Sequence, residues 1–409
     1  MLNTVNHKKK IVIINSNFFD KIIFQKYDLE GYLNNKMTDI EFWKYNTNKI
    51  IFKKNITEAN RLEDEETNLI KIKNVKKFIK INNLFQLIKN LSKTNSETYI
   101  FDLNLMERKP FYLVLLKMFG AKLIFHGLAQ FPIQNYHFKD LRRVLKKNIL
   151  TWPLLFIKAF NFSFKKILRK FFKNNIDIFF YNGLYEKQLS YKISKNSKSL
   201  YTRDYQNYLD EKKINRPSMI GQEYILFVDM GYPITHDNDF SLEKPTTTEE
   251  SYKKGILNFL SFLSKIYSDK KIIVALHPKS KKQDFYGYQS YKDETCHLMK
   301  NAFFIVSHDS LSLQFAALWK KPTFIIFNND MKNRISKFKD IEWFKDELGL
   351  PAINMDEINA EELKPIIDRN INNINNSYKF DYFKKQYIND SKEENNSISK
   401  TIINTVALH

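Results

Sequence analysis

Histidine and serine side chains that suit the binding of a phosphate group follow two apolar runs in the second half of the chain. His277 comes directly after residues 272–276, and a polar cluster that begins at Ser307 comes directly after residues 303–306. Short apolar runs of this kind predict buried parallel strands, and an open parallel sheet binds its ligands beyond the carboxyl ends of its strands. We therefore expect the histidine and the polar cluster to meet at one edge of a sheet.

The polar cluster also predicts the start of a helix over residues 311–319. Ser310 and Ser312 stand where a helix exposes N–H groups that attract a phosphate, although serines at a helix start are often plain N-caps. His308 suits the same anion and equally suits a role in orienting the loop. A histidine, two hydroxyls and a helix start fit a diphosphate or a nucleotide monophosphate. The residues expected to contact it are His277, Pro278, Lys279, Ser307, His308, Ser310 and Ser312.

Two aspartates are rival candidates for a general base, because each lies at the end of a predicted strand. Asp229 follows residues 224–228, and Asp102 falls near the end of residues 98–103. The acidic pattern at residues 237–239 resembles a metal-binding D-x-D, but such a pattern is common by chance. We therefore expect no metal site.

Further polar residues end predicted strands in the first half of the chain. His126 and Asn182 are expected to bind an acceptor molecule or to supply the base instead. Arg108 suits contact with an anionic acceptor. Glu186 is expected on the surface of a helix.

Composition places bounds on function. The chain has 409 residues, which suggests two domains, and its net charge of +21 favours an anionic partner. A single cysteine, Cys296, excludes an intramolecular disulfide. The glycine-rich motifs GxGxxG and GxxxxGK[ST] are both absent, which disfavours the nucleotide-binding modes that use them. No signal peptide and no apolar run of about 18 residues is present, so we expect a cytoplasmic protein without a membrane-spanning helix.

Residues 139–173 combine eleven Lys or Arg and one Asp with interleaved aromatic side chains. A basic, aromatic, amphipathic stretch suits the surface of a membrane that contains anionic lipid. A helical hairpin packed on its own domain, with solvated lysines, is the structural alternative. Stacking of single-stranded nucleic acid is the least favoured reading.

The alternation of strand-like and helix-like segments predicts an α/β fold with parallel sheets. We expect a Rossmann-like domain over residues 1–210, a second over residues 220–375 and a helical tail over residues 376–409, with the two sheets facing a cleft. The pattern also predicts a single helix over 70–94. It predicts strands at 10–15, 50–54, 122–126, 176–181, 199–201 and 323–327.

The second half of the chain resembles bacterial surface-polysaccharide glycosyltransferases of the GT-B architecture, in particular sialyltransferases and polysialyltransferases. It is also similar to capsule polymerases of the glycerophosphotransferase type. The resemblance covers roughly residues 224–330 and rests on Asp229, the His277-Pro278 pair, the run 291–295 and the Ser307–Ser312 cluster. It implies that the histidine and the serines hold the cytidine monophosphate of a donor, with Thr295 as a further contact.

The same resemblance implies that the first domain binds the acceptor and supplies the base. The acidic–acidic–glycine triplet that carries the base in those sialyltransferases is absent here. The base therefore stays open between Asp102 and Asp229.

These observations predict a metal-independent glycosyltransferase that needs no cofactor. Its first-choice donor is a CMP-activated acidic sugar, such as sialic acid or Kdo, and its acceptor a surface polysaccharide, capsule glycan or lipooligosaccharide. The expected partners are the nucleotide sugar, a glycan or glycolipid and the anionic inner face of the cytoplasmic membrane, with no specific nucleic acid. The alternatives are a polyol-phosphate transferase or UDP-sugar epimerase or transferase on the same fold, and a non-catalytic protein that binds membrane or nucleic acid.

Overall fold

The chain folds into two compact α/β units. The computed structural model describes residues 8–15, 19–45, 67–103, 110–127, 176–233, 246–278, 280, 285–357, 359–372, 378–390 and 397–409. Of these, unit 1 holds the residues up to 206 and those from 389 onward, and unit 2 holds residues 207–388.

Unit 1 is built around a seven-stranded parallel sheet. Its strands are β1 (Lys10–Asn15), β2 (Asp39–Tyr45), β3 (Lys77–Ile81), β4 (Thr98–Asp102), β5 (Lys122–His126), β6 (Ile176–Tyr181) and β7 (Ser194–Ser199). In space they run β3-β2-β1-β4-β5-β6-β7. The first six follow the Rossmann order 3-2-1-4-5-6, which reverses direction between β1 and β4. Strands β1, β4, β5 and β6 are nearly continuous buried runs, as expected of strands covered on both faces.

Helices connect these strands. They are α1 (Lys21–Lys26), α2 (Leu29–Leu33), α3 (Leu84–Leu91), α4 (Pro110–Met118) and α5 (Leu184–Ile193), and residues 67–75 are also helical. Helix α6 (Arg203–Ile214) follows β7, and its residues from 207 onward belong to unit 2. Local chemistry sets their ends. The Asn83 side chain accepts a hydrogen bond from Gln86 N at the start of α3, and Gly120, with φ of +73°, follows α4.

Unit 2 repeats the arrangement with six parallel strands. They are β8 (Tyr224–Val228), β9 (Lys271–Leu276), β10 (Ser290–Lys292), β11 (Phe304–Ser307), β12 (Thr323–Phe327) and β13 (Ala352–Asn354). Their spatial order, β10-β9-β8-β11-β12-β13, is again 3-2-1-4-5-6, with the reversal between β8 and β11.

The helices of unit 2 complete its layers. They are α7 (Glu249–Ile266), α8 (Thr295–Asn301), α9 (Leu313–Trp319), α10 (Asn329–Asn333), α11 (Ile335–Leu348), α12 (Ala360–Asn372) and α13 (Tyr378–Phe383), with a π-helical turn at Lys384–Ile388. The last helix of the chain, α14 (Ile398–Leu408), returns to unit 1. There Asp28 accepts hydrogen bonds from the backbone N and the hydroxyl of Ser399 at 3.0 and 2.6 Å.

The predicted fold class, α/β with two Rossmann-like parallel sheets, is confirmed by these strand orders. Strands β1, β5, β6 and β12 have the predicted bounds. The predicted helix over 70–94 is wrong, because β3 occupies its middle and pairs with β2. The predicted strand at 199–201 is also wrong, since β7 ends at Ser199. The predicted strand at 50–54 lies outside the described residues.

Candidate functional site

Three of the predicted site residues lie at the carboxyl edge of the unit 2 sheet, on neighbouring strands. Asp229 follows β8, His277 follows β9, and Ser307 ends β11. Val228 lies opposite Ser307 in the register of β8 and β11. The strand order reverses between β8 and β11, and ligands of this fold class bind at that reversal.

Asp229 shapes the turn that leaves β8. It is buried, and its Oδ1 accepts a hydrogen bond from Gly231 N at 2.8 Å. Gly231 has a φ of +72°, a left-handed conformation that glycine adopts without strain. The carboxylate therefore contributes to the shape of the turn in addition to any contact with a ligand.

His277 is partly exposed, unlike the two residues that precede it in β9. Its carbonyl oxygen accepts a hydrogen bond from Ser280 N at 2.8 Å, which closes the turn. Pro278 in that turn is exposed. The predicted contact Lys279 lies outside the described residues.

The hydroxyls of Ser310 and Ser312 lie 2.8 Å apart. Helix α9 begins at Leu313, two residues later than predicted, and Ser312 at its N-cap makes no side-chain capping bond. The backbone N–H groups of residues 313–315 donate to carbonyls of residues 310–312. This corrects the expectation that free helix N–H groups attract the anion, because the turn uses them. The paired hydroxyls are what this turn presents.

His308 is fully buried and supports the same turn. Its Nδ1 donates to the carbonyl of Ile326 at 2.7 Å, so its Nε2 accepts from the Tyr252 hydroxyl, also at 2.7 Å. Burial lowers the pKa of His308 to about 3, which keeps the ring neutral. Both nitrogens are engaged inside unit 2, which favours the orienting role over contact with a phosphate.

Ser307 is also buried, and no described residue is within hydrogen-bonding geometry of its hydroxyl. Thr295 begins α8 shortly after β10, whose Lys292 lies opposite Leu276 of β9. Thr295 is therefore at the same edge of the sheet as His277. It is partly exposed.

Charged residues lie behind the serine turn, and of these the sequence patterns indicated only Asp309, within the Ser307–Ser312 cluster. Asp309 forms an ion pair with Lys337 of α11 at 2.6 Å, and burial raises the pKa of its carboxyl. Burial and the neighbouring Asp309 raise the pKa of Asp340 to about 7. Arg334, between α10 and α11, is buried, with its guanidinium 6.0 Å from the ring centre of Tyr232. Lys337 and Asp340 lie on α11 and Arg334 directly precedes it, and no sequence motif marks that segment.

In unit 1, Asp102 lies at the corresponding reversal of strand order. It is buried, and the Tyr112 hydroxyl donates to its Oδ2 at 2.7 Å. Ile14 of β1 lies opposite Asp102. The next residue, Asn15, is fully buried at the same edge, and sequence reasoning did not single it out.

His126 and Asn182 come together at the carboxyl ends of β5 and β6 in unit 1. Asn182 donates from its backbone N and its Nδ2 to Oε2 of Glu186, at 3.0 and 2.6 Å. Glu186 is buried, which corrects the expectation that it lies on a helix surface. Burial lowers the pKa of His126 to about 3, despite an opposing effect of the nearby Asn182. The predicted acceptor contact Arg108 lies outside the described residues.

Two negative findings apply to the described part of the chain. None of its helices has the length and apolar character needed to cross a bilayer. No three His, Cys, Asp or Glu side chains come together there as the ligands of a metal ion do. The basic stretch 139–173 lies outside the described residues, so its membrane role stays a prediction.

Comparison with known proteins gives weak likenesses. No protein-family model matches the chain, and no curated protein matches it. Similar solved structures include S. aureus MnaA with UDP (12% identity, TM-score 0.45, 98% of this chain and 96% of that one) and the wall teichoic acid polymerase TagF (14%, 0.45, 97% and 88%). Another is MurG of Acinetobacter baumannii (7%, 0.44, 98% and 100%). At these scores the likenesses carry no argument about function.

Proposed function

We propose that this chain is a glycosyltransferase whose unit 2 binds a nucleotide-sugar donor through the donor's phosphate. The observation that carries the proposal is the placement of a partly exposed histidine, His277, and a hydroxyl pair, Ser310 and Ser312, at one sheet edge. Strands β9 and β11 flank β8, so their backbones are separated by about 10 Å. A phosphate with a histidine on one side and a serine on the other spans such a gap.

These groups stabilise a leaving group. As the acceptor oxygen forms its bond to the anomeric carbon, the bond between that carbon and the phosphate oxygen breaks, and negative charge develops on the phosphate. Hydrogen bonds from His277 and the serine hydroxyls favour that charge. The proton of the acceptor hydroxyl passes to a carboxylate.

Asp102 is the stronger candidate for this base. Asp229 follows the strand that separates His277 from the serine turn, and its Oδ1 is engaged by Gly231 N. A base in that position would bring a second negative charge close to the phosphate. Asp102 is held by the Tyr112 hydroxyl in unit 1, where we propose that the acceptor binds, with Arg108, His126 and Asn182 as its contacts.

A CMP-activated acidic sugar is the first-choice donor. A single phosphate bears less charge than a diphosphate, and protein hydrogen-bond donors alone can stabilise it. Transfer then requires no divalent metal and no cofactor. The acceptor that we propose is a glycan or glycolipid of the cell surface.

We further propose that the enzyme works at the anionic inner face of the cytoplasmic membrane, to which the basic aromatic stretch 139–173 attaches it. Cosedimentation with vesicles tests this. Vesicles with 30% phosphatidylglycerol should bind the chain and pure phosphatidylcholine vesicles should not. Equal binding to both would contradict the electrostatic attachment.

The test of donor binding is the melting temperature of the full chain with CMP, CDP, UMP, UDP and GDP at millimolar concentration. We expect the largest rise with a cytidine nucleotide, because a ligand that binds only the folded state stabilises it. A chain that shows no rise with any cytidine or uridine nucleotide would contradict the proposal.

A further inference from the structure

A tyrosine of helix α7, Tyr252, contacts both segments that leave the strands at the reversal of strand order in unit 2. Its hydroxyl donates to Nε2 of His308, in the serine turn (residues 307–312), at 2.7 Å. Its ring packs edge-on against Tyr232, in the segment that leaves β8, with 5.2 Å between the ring centres. Tyr252 is buried, so it acts on both segments from inside the unit.

The hydrogen bonds of the His308 ring have a fixed direction. The carbonyl of Ile326 can only accept, so Nδ1 of His308 carries the proton and Nε2 is an acceptor. Burial, and after it the charge of Asp229, raises the pKa of Tyr252 well above its usual value. The Tyr252 hydroxyl therefore keeps its proton, and it is the group that holds the Nε2 side of the imidazole.

The two partners of the His308 ring come from parts of unit 2 that are joined to each other. The segment before α7 is attached to α10, because Thr246 N donates to Oδ1 of Asp330 at 2.8 Å. The Tyr232 hydroxyl donates to the same carboxylate. Helix α10 directly follows β12, the strand whose Ile326 holds the other side of the ring. The ring is thus held between two connected supports.

The position of His308 affects the two hydroxyls that we assign to the donor phosphate. Ser310 N donates to the His308 carbonyl at 2.9 Å, and the hydroxyls of Ser310 and Ser312 are 2.8 Å apart. A second tether, the ion pair of Asp309 with Lys337, holds the neighbouring residue of the turn. Loss of the Tyr252 hydroxyl should therefore shift the serine hydroxyls without releasing the turn. Because hydrogen bonds depend steeply on geometry, such a shift weakens contact with a phosphate.

We propose that Tyr252 is a positioning residue of the donor-phosphate site, which acts through His308 on the hydroxyls of Ser310 and Ser312. This inference rests on the proposed function, because the serine pair is the phosphate contact there. It assigns to a buried side chain of α7 a part in donor binding that needs no contact with the donor.

The experiment is calorimetric titration of the full chain with CMP, CDP, UMP and UDP, at a temperature at which every variant is folded. Tyr252→Phe keeps the ring that packs on Tyr232 and removes only the hydroxyl. We expect the dissociation constant of the best nucleotide to rise about three- to tenfold, as for the loss of one neutral hydrogen bond. Tyr267→Phe is the matched control. Tyr267 directly follows the same helix, its hydroxyl donates to Oδ1 of Asp368 at 2.8 Å, and this variant should bind as the wild type does.

A second variant tests whether the effect passes through His308. His308→Asn keeps an N–H donor for the Ile326 carbonyl and removes the acceptor for Tyr252. It should raise the dissociation constant at least as much as Tyr252→Phe does. Adding Tyr252→Phe to His308→Asn should then raise it no further, because the two residues act as one unit. A merely structural loss would instead add in the double variant, and such additivity overturns the inference.

The remaining outcomes separate this inference from donor binding. Nucleotide binding by the wild type that is unchanged in Tyr252→Phe overturns the inference alone. Equal weakening by Tyr252→Phe and Tyr267→Phe also overturns it, because the effect then belongs to the helix in general. Absence of nucleotide binding by the wild type overturns the proposed function, and the inference with it. If Tyr252→Phe does not fold, His308→Asn decides: binding equal to that of the wild type overturns the inference.

Discussion

In the described part of the chain, His277 differs from His126 and His308, which also lie at strand ends, because it is partly exposed and they are buried. His126 and His308 are buried and neutral, with pKa values near 3. A neutral ring buried inside a unit suits orientation or recognition of a neutral group, whereas a partly exposed ring beside a polar turn suits a phosphate. All three residues lie at or directly after the ends of strands, and burial is the largest cause of the lowered pKa of His126 and of His308.

His277→Ala should therefore weaken nucleotide binding without unfolding the chain. A hydrogen bond to a charged phosphate contributes about 1.5–3 kcal/mol, so we expect the dissociation constant for the best nucleotide to rise about 10- to 100-fold. Calorimetric titration measures it. His409→Ala, at the exposed C-terminal residue, is the control and should bind as the wild type does. An unchanged dissociation constant in His277→Ala would remove the histidine from the site.

The variants Asp102→Asn and Asp229→Asn should show which aspartate is the general base and which one mainly shapes the turn after its strand. We expect Asp102→Asn to lower kcat at least 100-fold with nucleotide binding unchanged, because the amide accepts no proton. Asp229→Asn keeps an oxygen for the Gly231 N–H and should lower kcat less than tenfold. Release of CMP from the donor in the presence of acceptor measures both. The reverse ranking would make Asp229 the base.

The serine turn before α9 is an element whose function and stability should be separable. Ser312 makes no capping bond, but the Ser310 hydroxyl accepts a hydrogen bond from Ser312 N at 3.3 Å. The double change Ser310→Ala, Ser312→Ala should therefore lower the free energy of unfolding by only about 1 kcal/mol. It should nevertheless abolish the nucleotide-dependent melting shift. Ser397 caps α14 through its Oγ, so Ser397→Ala should cost about 1 kcal/mol and keep the shift. A large loss of stability in the double variant would show that the serines are structural.

Central strands of the fold could be predicted from the sequence, and the two edge strands of the unit 1 sheet could not. Strands β1, β5, β6 and β12 are apolar runs that need burial on both faces, so the local pattern determines them. Strands β3 and β7 lie at the two edges of the unit 1 sheet and carry lysine and serine. They are strands because β2 and β6 offer pairing partners, and a local pattern does not contain that information.

In the candidate site, too, some features could be predicted from the sequence and others could not. His277, Ser310 and Ser312 follow strands, so their grouping follows from the rule for parallel sheets. The burial of His308 and Glu186 depends on side chains that pack over them from other elements. Lys337 reaches Asp309 in the serine turn from α11, more than 20 residues further along the chain, and no sequence pattern around Lys337 marks it.

Helix α11 contacts the serine turn through the ion pair of Lys337 with Asp309, and it carries a second, partly buried carboxyl, Asp340. Asp340 is kept protonated near neutral pH by burial and by Asp309, and its pKa is raised to about 7. The unfolded chain loses this proton near pH 4. Asp340 therefore lowers the free energy of unfolding by an amount that grows as the pH rises from 4 to about 7 and then levels off. Asp340→Asn should therefore raise the melting temperature at pH 8 and change it little at pH 4. The exposed Asp346 provides the control, Asp346→Asn. A lower melting temperature of Asp340→Asn at pH 8 would contradict the repulsion.

For the whole molecule, the same groups predict that acid affects the two units differently. His126 in unit 1 has a folded pKa of about 3 against an ordinary value near 6.5. The unfolded chain therefore binds a proton that folded unit 1 does not bind. The free energy of unfolding falls as the pH drops below 6.5, by about 2 kcal/mol at pH 5. In unit 2, His308 has the same effect. There Asp340 opposes it, because folded Asp340 gains a proton over the same pH range.

We therefore expect unit 1 to open first when the pH is lowered from 7 to 5. Hydrogen exchange followed by mass spectrometry, corrected for the intrinsic rate at each pH, resolves this by peptide: protection should fall in β1, β4, β5 and β6 and hold in β8, β9, β11 and β12. The variant Asp340→Asn removes one opposing group and leaves Asp309, whose pKa burial also raises. Its unit 2 peptides should therefore lose more protection between pH 7 and 5 than those of the wild type. Equal loss of protection in both units of the wild-type chain would contradict the opposition between His308 and Asp340.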